Sequence, residues 1–470
     1  MTINNIDVEA TLNKVKVLLK EEKDISPAVR SMIELLSLVI TLLVGRLNLN
    51  SSNSSKPPSS DPNRKKAEKK KGERKAGGQK GRVGVTLRKV DDPDEIEIIK
   101  LDRSKLPRGG YKEVGYESRQ VFDIDISRVV TEYRAQILED SQGKQFVAPF
   151  PKGVEKAVQY GTNVKAHSVY MSQFQLIPYN RIQDYFREQL QIPVSSGSIF
   201  NFNREAYDLL GIFDEKIKVK LVNSELLHVD ETGININGDR HWLHSTSNSL
   251  WTYFSPHKKR GTEALDAIGI LPGFKGTLCH DHWKPYYKYG CNHALCNAHH
   301  LRELTRVWEE DGHGWAKKMK ELLEEANHAV NNAGGLLEAV ESKKYLQKYR
   351  TILRNADVEC PPPGEVHRKG KRGRIKRTRA RNLLERFIEY EDDVLRFMYN
   401  KIVPFTNNLC ENDIRMTKVQ QKISGCFRSM DGAKIFCRIR SYLTTCRKHG
   451  VSSSNALDIL FQGKLPDFIN

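Results

Sequence analysis

The sequence predicts a multidomain α+β protein in which a mixed α/β domain is split by an all-helical insertion. Three observations predict it. The chain has 470 residues, more than one hydrophobic core usually organises. Apolar and polar residues alternate in short runs between 225 and 255, the period of half-buried strands. From 303 to 400 the period changes to that of helices, with Trp315, Met319, Leu322, Leu323 and Ala326 on one stripe and Leu384, Phe387, Ile388, Leu395 and Met398 on another.

Composition bounds the function class. A hydrophobic share of 39% suffices for packed cores, and no apolar run approaches the roughly 18 residues of a membrane span. The start MTINNIDVEATLNK lacks the charged-then-apolar pattern of a secretion signal, and all eight cysteines follow residue 278 without a regular framework. A soluble, cytoplasmic protein with no membrane partner is expected. The formal charge of +18 points to a polyanion, and for such a protein to nucleic acid, associating it with the nucleoid when bound.

Residues 1–50 are expected to be helical: Leu35, Leu42 and Leu49 stand at heptad spacing beside Ile33, Ile40 and Leu47. This helix is either a coiled-coil arm or a helix packed on its own chain. Residues 51–90, rich in Ser, Pro, Gly and Lys, have too little apolar surface to order and read as a flexible basic linker. Within it Arg64, Lys65, Lys66, Lys69, Lys70, Lys71, Arg74 and Lys75 are candidates for sequence-independent phosphate contacts. Residues 91–160 alternate in stretches such as EIEIIKL and SRQVFDIDI, predicting a small β-rich module.

Residues 165–215 read as a helix-turn-helix, with Ser195, Ser196 or Ser198 as N-cap of a second helix whose Asn201 and Asn203 are candidates for base contacts. Residues 221–302 begin the α/β domain. Three strands, ELLHVDETGININ, RHWLHSTSN and LWTYFS, are separated by turns at Asn237-Gly238 and Ser247-Asn248, and should form an antiparallel meander. A short helix, TEALDAIGI, leads to a fourth strand, GTLCHD. The insertion, 303–400, contains the proline-broken basic loop CPPPGEVHRKGKRGRIKRTRAR, and 401–450 completes the domain before a C-terminal tail, 451–470.

Three carboxylates stand out by setting. Asp230 and Asp281 end apolar strands, and Glu411 lies in the helical segment NNLCENDIR. Acids in such places are costly without a cation or a partner, so each is a candidate metal ligand. Hard carboxylate oxygens are what magnesium prefers, and two such ions can serve an in-line phosphoryl displacement.

The strings SSKPPSSD, HVDETG, HWLH, GFKGTLCHDHWKPYYKYGC, HALCNAHHLREL, TNNLCENDIRM, KVQQKISG and IRSYLTTCRKHG run in that order from residue 54 to 450 and resemble those of the insertion sequence 66 family of transposases. The resemblance implies a ribonuclease H-like catalytic domain with an aspartate, aspartate, glutamate triad at Asp230, Asp281 and Glu411. It implies cleavage of element ends with Mg2+, for which Mn2+ is a possible substitute, then attack of the freed 3′-hydroxyl on target DNA. Implied partners are double-stranded DNA, as terminal inverted repeats and as target, further copies of the chain on that DNA, and small accessory proteins of the same element. Similar members carry a cysteine-rich zinc module after the linker. This sequence has no cysteine before Cys279, so zinc is not expected there, and a decayed or repurposed DNA-binding protein without catalysis is the alternative reading.

Cys291, His293, Cys296, His299 and His300 crowd the segment CNHALCNAHH. In related transposases a cysteine and histidine at the spacing of Cys296 and His299 follow the second aspartate as structural support. Zinc binding and acid–base catalysis are the other readings. Helix geometry separates Glu411 from Asp413: two positions differ by about 200°, so only one faces the aspartates. Glu411 shares its side with Arg415 and Lys418, candidates for the DNA backbone, while Asp413 is expected in solvent or against the insertion. Glu231 should point away from Asp230 and matter less.

Overall fold

The alternating runs after residue 225 build a five-stranded sheet, and the elements that carry the candidate carboxylates are arranged around it. The computed structural model describes all residues except 1, 4, 5, 23, 48, 55–60, 62–85, 364–376 and 470. The basic cluster from Arg64 to Lys75 and much of the basic loop after Cys360 lie outside the described residues.

At the N-terminus a short hairpin of β1 (Thr2–Ile3) and β2 (Ile6–Asp7) precedes helices α1 (Val8–Glu21) and α2 (Pro27–Leu47). Arg30 ties the helices together by donating to the carbonyls of Leu19 and Glu22. Leu35 and Leu42 of the heptad row are exposed, as are Met32, Leu36 and Leu43. Over Pro27–Gly45 the mean hydropathy is 1.9, so α2 is long and apolar enough to cross a membrane by length and composition alone. Arg30 and Glu34 interrupt the apolar run, so it is the average over the helix, not an unbroken stretch, that meets this test.

The β-rich module expected over 91–160 is also corrected. The only strands there, among the described residues, are β3 (Ile137–Glu139) and β4 (Gln145–Val147), which form one hairpin. Ile96, Val121, Ile124 and Val129 are exposed. Alternation supplies an apolar face, but among the described residues no second layer covers it.

Helices α3 (Thr162–Val169), α4 (Tyr179–Leu190), α5 (Ser196–Leu209) and α6 (Gly211–Val222) follow. Ser195 caps α5, its Oγ accepting from the Ser198 N–H at 3.0 Å. Ile199, Phe202 and Ala206 of α5 enter one core with Trp251 and Tyr253 near the sheet edge and with Ile439 and Tyr442.

Strands β5 (Leu226–Ile236), β6 (Asp239–Ser247) and β7 (Thr252–His257) form the antiparallel meander. Asn237 and Gly238 turn between the first two at φ 52° and 93°, the left-handed pair that fits a two-residue hairpin. After α7 (Thr262–Ile268), β8 (Thr277–His280) and β9 (Asn292–Leu295) join in parallel on the other side of β5, giving the order β7-β6-β5-β8-β9. Gly276 admits β8 to this position: a Cβ there would lie 2.4 Å from the Glu225 carbonyl oxygen. The first half of the cysteine- and histidine-rich segment is thus the strand β9.

Helices α8 (Asn297–Asp311), α9 (Gly314–Asn332), α10 (Ala339–Glu359), α11 (Arg379–Glu389) and α12 (Glu391–Leu395) build the insertion around a core that includes Trp315, Met319, Tyr349 and Phe387. Helix α13 (Asn408–Ser424) returns across β5 and β6, and α14 (Met430–Lys448) packs on β7. The segment 451–470, expected as a tail, contains α15 (Ser453–Phe461), whose Ala456, Leu457 and Leu460 are buried with residues of α3 and α5.

Candidate active site

Register brings the two aspartates together. The parallel pairing of β5 with β8 sets His228 beside Cys279, so Asp230 and Asp281, each two residues further on, leave neighbouring strands at the same level. Parallel neighbours are about 4.8 Å apart. Because β8 stops at His280, the edge of β5 beyond Val229 is open on that side, and the carboxylates occupy this notch. Asp281 is oriented by the Trp283 N–H, which donates to its Oδ1 at 3.1 Å.

Glu411 arrives on α13, whose start is fixed by Asn407. The buried Asn407 side chain accepts from His228 Nδ1 at 2.8 Å and donates through Nδ2 to the Val229 carbonyl at 2.8 Å. The Val229 oxygen can only accept, which fixes the amide orientation and requires the His228 proton on Nδ1. The Asn407 N–H donates to Cys296 Sγ at 3.1 Å. One side chain and its amide thus join the strand of Asp230, the end of β9 and the helix of Glu411.

Electrostatics report the convergence. The Asp230 carboxyl is pushed up to about 8, first by burial, then by the neighbouring charges of Glu231 and Asp281, with Glu411 adding to them. The Glu231 N–H donates to Asp230 Oδ1 at 2.9 Å and pulls the other way, but does not compensate. The acidic neighbours that raise Asp230 make a hard oxygen environment of the kind a divalent cation takes, whereas the group whose donor atoms lie within 4.8 Å of one another, among the described residues, is Glu411 with Cys296 and His299.

Cys296 and His299 both face Glu411. The Cys296 thiol is pushed up to about 11, chiefly by burial, so it stays protonated and donates to Glu411 Oε1 at 3.9 Å. His299 Nδ1 lies 3.8 Å from the same oxygen, and the three groups' donor atoms lie within 4.8 Å of one another. Cys291 is not in this group and packs against the core shared by α3 and α5.

The other sequence candidates divide. Arg415 is exposed, and Lys418 leans back so that its Nζ donates to the Gly233 carbonyl at 2.9 Å. Asn201 is exposed on α5. Asn203 is corrected: it is 0% exposed, accepting from Ser172 Oγ at 3.0 Å and donating to Tyr179 Oη at 2.8 Å, so it has no path to a base. Asp413 is neither solvated nor paired with the insertion. It accepts from Lys448 Nζ at 2.7 Å and Thr252 Oγ1 at 3.0 Å, an inner contact between α13, α14 and β7. Glu231 points away from Asp230 along the strand, yet its side chain is only 2% exposed and binds Arg260 and the Tyr286 hydroxyl. That face of β5 is covered as well, so Glu231 has partners of its own there.

A family model described as Transposase IS66 family matches residues 157–435, from α3 to α14, and so includes all three carboxylates. The chain belongs to this family. A second model, of a family of unknown function, matches residues 7–88, and no curated protein matches the chain. In this IS66 transposase the matched stretch contains the whole sheet and the whole insertion. Sequence reasoning missed Asn407 and His228. The available signal was the asparagine four residues before Glu411 at a helix start, read only as part of a motif.

Proposed function

We propose that this IS66 transposase cleaves the terminal inverted repeats of its element and joins them to target DNA, using Asp230, Asp281 and Glu411 in a ribonuclease H-like domain. The meander with two parallel strands added beyond its first strand supports that fold reading. The observation that carries the proposal is the meeting of Asp230 and Asp281 in the notch, with the Asp230 carboxyl held up near 8 by burial and its acidic neighbours. Asp230, Asp281 and Glu411 would hold magnesium, or manganese in its place. When bound, the metal supplies positive charge for the attacking and leaving oxygens of an in-line displacement.

The chain's own groups do the rest. Cys296 and His299 hold the Glu411 carboxylate, and Asn407 sets its helix against β5. Arg415 and Lys418, on the same side of α13, take DNA phosphates. Asn201 on α5 contributes to reading the inverted repeat, while the cluster from Arg64 to Lys75 adds affinity without sequence preference. Copies of the chain assemble on DNA with the element's small accessory proteins.

The test uses the full chain, magnesium and a duplex taken from the DNA flanking its own reading frame. Wild type should yield ends with a 3′-hydroxyl, while Asp230→Asn and Asp281→Asn should bind the duplex and leave it whole. Cleavage persisting in both variants overturns the triad.

A further inference from the structure

An alternating stack of arginines and tryptophans borders the notch. The Arg240 guanidinium lies 4.8 Å from the Trp242 ring, Arg260 lies 4.8 Å from the same ring, and Arg260 also lies 4.5 Å from Trp283. The order along the stack is therefore Arg240, Trp242, Arg260, Trp283. It ends two residues beyond Asp281, where the Trp283 N–H orients that carboxylate.

The stack is built in, and only part of it is saturated. Trp242 stands opposite Gly233 on β5, and a Cβ at Gly233 would lie 3.2 Å from Arg240 Nε, so the glycine makes room for that guanidinium. Arg260 is anchored by Glu231, which Tyr286 holds from the other side with a 2.6 Å hydrogen bond. Arg240 is exposed and, among the described residues, pairs with no carboxylate. By strand alternation the stack lies on the Glu231 face of β5, whereas Asp230 faces α13 with Arg415 and Lys418. The notch thus has two rims, one with Arg415 and Lys418 beside Glu411 and one basic and aromatic.

We propose that Arg240, Trp242, Arg260 and Trp283 bind an unpaired DNA strand beside the carboxylates, indoles stacking bases and guanidiniums taking phosphates. This rests on the transposase reading and adds a single-strand site to it. Interleaved cations and aromatic faces are what unpaired strands need, because every base has a stacking face while a paired duplex hides it. Arg240 is the movable member. It swings from the Trp242 face to a phosphate, and a base takes the vacated ring, an exchange favoured because base stacking on an indole outweighs an exposed cation–π contact.

The experiment measures binding of dye-labelled oligothymidylate and of a blunt random duplex to the full chain by fluorescence anisotropy, without metal. Trp242→Ala and Trp283→Ala should each weaken oligothymidylate binding about tenfold and leave the duplex within about twofold. Trp242→Phe, which keeps a ring, should restore most of the loss, and Arg240→Ala should lower the salt slope for the single strand by about one. Equal losses on both ligands, no loss on either, or no rescue by Phe overturns the proposal. Oligothymidylate binding needs no cleavage, so failure here leaves the transposase reading standing. Failure of wild-type cleavage with single-strand binding intact overturns only that reading.

Discussion

Asn407 donates its side-chain amide to the Val229 carbonyl at 2.8 Å, which fastens the start of the Glu411 helix to β5 one residue before Asp230. Asn407→Ala should therefore lower single-turnover cleavage about 10–100-fold while duplex affinity stays unchanged. Asn407→Asp keeps the acceptor for His228 and loses the donor to Val229, and should fall between. Wild-type cleavage in Asn407→Ala would show that the helix is held by other contacts.

Glu411 and Asp413 should separate activity from stability. Glu411→Gln keeps shape at a half-buried position and should abolish cleavage with little change in the melting temperature. Asp413→Ala leaves Lys448 largely buried beside an empty place and should cost about 3 kcal/mol, seen in urea denaturation. A stable, inactive Asp413→Ala beside an active Glu411→Gln would exchange their roles.

Magnesium binding should release protons. The Asp230 carboxyl is raised from 3.8 to about 8, so at neutral pH the metal-free native state holds a proton that the unfolded chain has lost. This group therefore disfavours the native state increasingly as pH rises from the unfolded value toward about 8. Binding requires the anion, so calorimetry near neutral pH in buffers of different ionisation heat should find about one proton released per site. Affinity should rise with pH up to that value. Binding without proton release in wild type would contradict the assignment of Asp230 as a ligand.

On α5 the two asparagines should behave differently. Asn203→Ala removes the donor to the Tyr179 hydroxyl and one of the two acceptors of the Ser172 hydroxyl, which keeps the Val169 carbonyl, and should cost about 1–3 kcal/mol, measured by thermal unfolding. Asn201→Ala should leave stability unchanged and reduce preference for the inverted repeat over random duplex. An equal drop on both duplexes would exclude base reading at Asn201.

The meander was legible because its strands are long, alternate cleanly and are joined by Asn237-Gly238. β9 was not, since four residues carry little period and their cysteine and histidine neighbours suggest other uses. Asp230 and Asp281 stand out in sequence as acids ending apolar runs. What surrounds them does not: alternation tells that Glu231 turns away from Asp230, but not that Arg260 and Tyr286 wait on the other side. Residues 91–160 mislead for the opposite reason, because period measures a face and is silent on whether anything covers it. The partners of Asn407 and the stack from Arg240 to Trp283 come from distant segments, so only register and packing bring them together.

The insertion between β9 and α13 also sets a schedule. Glu411 leaves the ribosome 130 residues after Asp281, roughly 6–26 s later at the usual pace of synthesis. During that interval the emerging chain already holds both aspartates yet lacks the glutamate and the asparagine that fastens its helix. On the proposed triad, a nascent or prematurely terminated product lacks the third carboxylate, and the full set is present only in a nearly finished molecule.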